Sequence, residues 1–419
     1  MRKLLITAAF MLSAHLHAQH LQHGLVGFAI VPTYGCEDTS GGALGELVTA
    51  NNEDELRHYC KAKEPYTILF EGHICRNDEA DILVHSNKTI IGLNGNASLE
   101  GIGFKGDKVK NIIIRGFKIR NAHCDAIAFR QSHHIWIDHC DLASCDDGLL
   151  DLTLGSDLMT VSWTRFADHN KTSICNSGTQ HDEDIGKQRV SYHHNAFFRT
   201  TQRNPRIGYG RGHLWNNYYE EIRSYCIGFF DGARLLIENN YFKDSKKPFN
   251  QMYVSDPNNI HFGHALERNN IFDNCKNVMD CSGKAFDTAE YYDYSLALDS
   301  TNTIAAIVKD AAGTAKGLEY DLVPIPNSGK RFLPNLNPLL QWSKAPGAKR
   351  YIIYLSETLE VLTNQTSASH KKCQIGRTNK NALKVKSELK PNTTYYWRVD
   401  TELKDRTIQG HIWQFTTAE

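Results

Sequence analysis

The chain has 419 residues, enough for two or three domains or one long repetitive one. Hydrophobic residues make up 41% and charged residues 22%, so a core can form and general disorder is excluded. Lys plus Arg total 47 and Asp plus Glu total 47, a balance that argues against a general nucleic-acid binder but leaves room for a local charged groove.

In chain order, Arg2 and Lys3, the apolar run 4–12 and Ala18 predict a secretory signal over residues 1–18, with export to the periplasm or beyond. No later apolar stretch reaches transmembrane length, so no membrane span is expected. Export permits disulfides, but the chain has 11 cysteines, so at least one thiol stays free or pairs between chains. Residues 24–79 come next. Within them, 52–60 reads as a short helix able to cap the open end of a repetitive coil.

From about residue 80 to 290 the chain repeats itself. Seven short β-branched or aromatic segments end on Ile119, Leu142, Phe166, Phe197, Tyr219, Phe242 and Phe272. Their separations are 23, 24, 31, 22, 23 and 30 residues, so the two long ones predict loop insertions. Short strands at that period predict a parallel β-helix. Asn195, Asn217, Asn240 and Asn270 each stand two residues before a marker, which predicts a ladder of side-chain hydrogen bonds.

Equal phase in such a coil means one residue above another, about 4.8 Å apart. Just past the markers come Asp125, then Asp147 with Asp151, then Lys171, Arg203, Arg223 and Lys247. The predicted stripe is therefore three carboxylates followed by cations. Stacked carboxylates repel unless neutralised, and Ca²⁺ with its flexible oxygen coordination fits. Gly148 permits the bend that Asp147 and Asp151 need to share an ion. A metal beside a row of Lys and Arg suits an extended anionic polymer. The pairs His133-His134 and His193-His194 make a poor zinc site, because strand neighbours face opposite sides. A hydrolase using Asp146, Asp147 and Asp151 fits the cationic half less well.

The segments WIDHCDL (136–142), DDGLLDLTLGSDLMTVSWTRFADHNKT (146–172) and RNPRIGYGRGHLWNNYY (203–219) resemble family 1 polysaccharide lyases, the pectate lyases. GFAIVPTYG (27–35) and CDAIAF (124–129) fit the same family. The resemblance covers roughly residues 24–300. It implies a right-handed parallel β-helix and Ca²⁺-dependent β-elimination on α-1,4-linked polygalacturonate. Asp125, Asp147 and Asp151 match the family's calcium ligands, Lys171 its carboxylate-binding lysine and Arg203 the arginine that takes the C5 proton. Spacing alone does not separate a base from an anion clamp at Arg203. Where the family often carries a second arginine, this chain has Gly208; Arg206 is present, and Arg211 or Arg223 could supply the charge. The three calcium carboxylates weigh against a pectin lyase, and Lys171 with Arg203 against a non-catalytic adhesin.

Pro324, Pro326, Pro334 and Pro338 read as a linker over 322–338. The coil domain is then 19–321, and 339–419 forms a small β-sandwich resembling a fibronectin type III module. Such a module spaces the catalytic domain or docks to carbohydrate or another protein. From residue 335 onward there are 13 Lys and Arg against 7 Asp and Glu. The polyanion site therefore lies on the acidic part of the chain and rests on a local stripe with a bound cation. The all-β chain is expected to be a monomer.

Overall fold

The computed structural model describes residues 24–78, 80–178, 181–252, 262–363 and 372–419; the expected signal at 1–18 lies outside them. Each apolar marker of the repeat stacks on the next. The register pairs Ile119 with Leu142, Leu142 with Phe166, Phe166 with Phe197, Phe197 with Tyr219, Tyr219 with Phe242, and Phe242 with Phe272. The rings of Phe166, Phe197, Tyr219 and Phe242 lie nearly parallel, with centroids 4.8, 4.9 and 4.6 Å apart. Phe272 is partly buried and the other markers are buried, and together they line one continuous core. Burial of that stack is the main force closing the coil.

The Asn ladder is present. Asn195 Nδ2 donates to Asn217 Oδ1, Asn217 to Asn240, and Asn240 to Asn270, each at 3.0 Å. Each Oδ1 also accepts the backbone N–H of the preceding rung, so buried amides in the turn are satisfied.

The coil has three parallel faces. Two of them join into one 17-stranded sheet, because Tyr66–Cys75 and Lys88–Glu100 run through the corner as single long strands. The third face has eight short strands, in chain order Ile82–Leu83, Phe104–Asp107, Ile127–Arg130, Gly148–Thr153, Lys171–Cys175, Arg206–Gly208, Ile227–Phe230 and Phe249–Gln251. The coil starts earlier than the repeat indicates, at Glu46–Ala50, which pairs with Tyr66–Phe70. The capping helix is Glu53–Lys61. Asn52 Oδ1 accepts from Glu55 N at 2.9 Å as N-cap, and Leu56 and Cys60 seal the core.

Segment 322–338, read from sequence as a linker, carries strands. Pro324–Ile325 pairs with Leu339–Trp342, and Lys330–Leu333 pairs with Ile412–Thr417. Pro324–Ile325 is an edge strand, where a proline's missing N–H costs no ladder bond. With Ala382–Lys384 on one side, and Thr394–Glu402, Arg350–Ser356 and Gln374–Thr378 on the other, two small sheets sandwich a core of Trp342, Trp397, Trp413 and Phe415. Arg115 lies on the outward face of its coil strand yet is only 1% exposed; it pairs with Asp138 at 2.8 Å and with Asp321, which in turn meets His411, just before the C-terminal strand Ile412–Thr417, at 2.7 Å.

All 11 cysteines are free thiols. Among the described residues no helix is long and apolar enough to cross a membrane.

Candidate active site

The eight-stranded face alternates. Leu150, Ile207 and Phe229 point inward and are buried, while Asp151 and Arg206 point outward. The register places Asp151 opposite Ile174, Ile174 opposite Arg206, and Gly148 opposite Lys171. Asp125 and Asp147 occupy the turns leading into Ile127–Arg130 and Gly148–Thr153. These turns are locked together by Asp147 N donating to Cys124 O at 3.1 Å.

Asp125 Oδ1 accepts the Gly148 N–H at 2.7 Å. A Cβ on Gly148 would lie 2.4 Å from Asp151 Oδ1 and 2.8 Å from Asp125 Oδ1. Both carboxylates therefore converge over a residue that must lack a side chain. Burial raises the Asp125 carboxyl. Burial, then the Asp125 charge, push Asp151 up to about 8, with Arg203 opposing and Asp147 adding. Carboxyls forced together at this cost match a divalent cation, which would neutralise them. Asp147 joins them from the exposed side.

Lys171 opens the strand Lys171–Cys175, and its Nζ donates to Asp147 Oδ1 at 2.9 Å. Arg203 lies in the turn before Arg206–Gly208, anchored by Ser173 N donating to its carbonyl at 2.8 Å. Its charge reaches Asp151. Arg206 lies with its guanidinium carbon 4.2 Å over the Phe230 ring. Burial pulls it below the ordinary arginine range, and neighbouring Arg203 acts in the same sense. Arg203 Nε and Arg206 Nε are both buried with no hydrogen-bond partner among the described residues. Buried donors left unmade are costly, and a site that keeps two of them is set to receive acceptors.

Sequence comparison decides the family. The profile described as pectate lyase matches residues 6–317. The chain belongs to the pectate lyase family. It is 34% identical over 345 residues to a pectate trisaccharide-lyase of Thermotoga sp. (strain RQ2), covering 71% of this chain and 91% of that one. It is 37% identical over 296 residues to pectate lyase A of Emericella nidulans, covering 67% and 86%. A solved pectate lyase from Bacillus sp. N165, in complex with trigalacturonate, superposes with a TM-score of 0.60 at 26% identity, covering 70% and 99%. The chain is thus a polysaccharide lyase, and its C-terminal sheets lie beyond the matched segment.

In this lyase the remaining predicted cations are less tightly gathered. Arg223 lines the same hollow as Asp146, Asp147, His169 and Lys171. No described contact joins Lys247 to that group. Its neighbour Lys246 lines an adjoining hollow with Arg223, Asp244 and Lys276. At Gly208 a Cβ would meet Asn176 Nδ2 at 2.8 Å and Phe230 Cζ at 2.9 Å. A side chain is thus excluded there, and the Phe230 ring that helps to fill the space carries Arg206 instead.

Three residues near the site were not singled out by phase. Cys124 Sγ donates to Asp125 Oδ2 at 3.5 Å, and it lies with Asp125 and Asp147 in one group of potential ligands. His169 Nε2 donates to the Asp147 carbonyl at 2.7 Å. The Asn176 amide is buried without a partner among the described residues. The charge pattern passed over all three because none carries a fixed charge. His194 stacks on Trp163 and His193 on Trp215, whereas His133 packs against the Tyr34 ring; neither His-His pair belongs to a group of three potential ligands among the described residues.

Proposed function

We propose that the chain is a secreted pectate lyase that cleaves α-1,4-linked polygalacturonate by Ca²⁺-dependent β-elimination, leaving 4,5-unsaturated oligogalacturonides. One juxtaposition carries this reading: crowded carboxyls over Gly148 stand beside Lys171, Arg203 and Arg206, two of whose nitrogens are buried and unpaired. The trigalacturonate named with the Bacillus structure supports it.

Asp125, Asp147 and Asp151 would hold Ca²⁺, which accepts six to eight oxygen ligands. Bound there, it would supply positive charge that draws electron density from a uronate carboxylate. Lys171 pairs with that carboxylate. Arg203 takes the C5 proton on a guanidine nitrogen. The role requires that the guanidine enter the step free of its own proton. The C5–H electrons form the C4–C5 double bond, the C4–O4 bond breaks, and O4 gains a proton from solvent. Arg206, Arg223 and Lys247 hold further carboxylates along the polymer. Residues 1–18 direct export. The C-terminal sandwich, taken as a fibronectin type III-like module, spaces or docks the monomeric enzyme.

The test is incubation with polygalacturonate, with and without a calcium chelator, following ultraviolet absorbance from the new double bond. Absorbance that disappears on chelation is expected. New reducing ends without absorbance would mean hydrolysis, and absorbance indifferent to chelation would remove calcium.

A further inference from the structure

A second group of potential ligands lies away from the acidic column, on the 17-stranded sheet. Tyr66–Cys75 and Lys88–Glu100 pair in parallel, with His73 opposite Ser98 and Cys75 opposite Glu100. Alternation along the strand sends His73 and Cys75 to the same outward face. Ligand atoms of His73, Cys75 and Glu100 lie within 4.8 Å of one another. His73 and Cys75 are exposed, and Glu100 is partly so.

Two of these side chains are aimed by neighbours outside the group. His73 Nδ1 lies 2.8 Å from Ser98 Oγ. When Nδ1–H donates to that hydroxyl, Nε2 carries the lone pair, and it faces Glu100 Oε2 at 3.7 Å. Asn121 Nδ2 donates to Glu100 Oε1 at 3.1 Å and leaves Oε2 free to turn inward. Metal-binding imidazoles and carboxylates use this kind of outer support to fix tautomer and direction.

We propose that His73, Cys75 and Glu100 bind a thiophilic divalent cation of the zinc class. Thiolate, imidazole and carboxylate form a donor set that zinc takes at tetrahedral sites, with water in the fourth position, whereas hard Ca²⁺ prefers oxygen alone. Thiolate and carboxylate together neutralise a double positive charge. The ion would tie two rungs at the capped end of the coil, where neither strand contributes to the Asn ladder. This site is independent of the proposed calcium site and of catalysis.

The experiment uses the full chain, reduced and saturated with Ca²⁺, titrated with Co²⁺ and then Zn²⁺. Cobalt bound by a thiolate gives a sulfur-to-metal charge-transfer band in the near ultraviolet. The band should appear in the parent and in Cys124→Ser, vanish in Cys75→Ser, and be displaced by one equivalent of Zn²⁺. His73→Ala and Glu100→Gln should each weaken Zn²⁺ at least about tenfold, and Ser98→Ala about 10- to 100-fold. All these changes are on exposed or partly exposed side chains, and melting curves verify folding. No band in the parent, a band that survives Cys75→Ser, or zinc affinity unchanged in both His73→Ala and Glu100→Gln would overturn the proposal.

Discussion

Lys171 Nζ sits 2.9 Å from Asp147 Oδ1, so the ion pair that links the acidic and basic halves of the site is made by two groups that both have other work. A cation entering among the carboxylates competes with Lys171 for Asp147. The partners are 43% and 51% exposed, which makes the pair worth about 0.2–1 kcal/mol.

Lys171→Ala is therefore expected to move two quantities in opposite directions. Calcium binding should tighten, by no more than about fivefold. Lost pairing to a substrate carboxylate should lower kcat/KM by about 10- to 100-fold. Calorimetric calcium titration and lyase kinetics measure both. Weaker calcium binding would show that Lys171 supports the ion site and does not compete with it.

Arg203→Ala should reduce turnover by about 10²- to 10⁴-fold, the usual range for a lost proton-transfer group. Circular dichroism and melting should stay near those of the parent, because the Arg203 backbone makes the contact to Ser173. Substantial residual absorbance change would remove Arg203 from the base role.

Gly148→Ala tests the carboxyl crowding directly. The new methyl would overlap Asp151 Oδ1 and Asp125 Oδ1 and push them apart. The calcium midpoint of activity should rise, as it should in Asp151→Ala. An unchanged calcium titration in both variants would exclude Asp151 as a ligand.

Glu238 provides a pH test away from the site. It is buried and accepts from His213 Nε2 at 2.8 Å, Arg268 Nε at 2.7 Å and Tyr294 OH at 2.6 Å. Burial keeps His213 below the usual histidine range, so the neutral ring donates from Nε2 and accepts from Tyr292 OH at Nδ1, 2.8 Å away. Burial alone would raise the Glu238 carboxyl, but its donors overcome this and hold it at about 2, against 4.5 when unperturbed. A depressed acid stabilises the fold fully above its unfolded pKa, and that stability is lost as pH falls through the folded one. Between pH 7 and pH 3 the parent should lose roughly 2 kcal/mol more than Glu238→Gln. Urea midpoints at the two pH values measure this, and equal losses would exclude Glu238.

Much of the coil was legible because one turn costs about the same number of residues each time. The markers from Ile119 to Phe272 and the Asn195–Asn270 ladder follow from that count alone. The first rungs were hidden because Tyr66–Cys75 and Lys88–Glu100 pass the corner as unbroken strands, with no asparagine at the ladder phase. Offsets from the markers put Asp125, Asp147, Lys171 and Arg203 on one stripe, and the structure brings these residues close together. The same offsets gave Lys247 a place in the row that no described contact supports, because turn lengths vary between rungs. The strands inside 322–338 were missed because proline reads as a break, although an edge strand accepts it. Cys124 and His169 act through a thiol and a ring N–H, which a reading of formal charge passes over.

The two long separations in the repeat have a further meaning. Phe166 still meets Phe197, and Phe242 still meets Phe272, although 31 and 30 residues separate them. The added length leaves the pairing of the stack unchanged. Loop size and site alignment are therefore independent variables in this architecture. Segments between rungs can be lengthened, shortened or exchanged while the spacing of Asp151, Lys171 and Arg206 on the eight-stranded face stays fixed by backbone pairing.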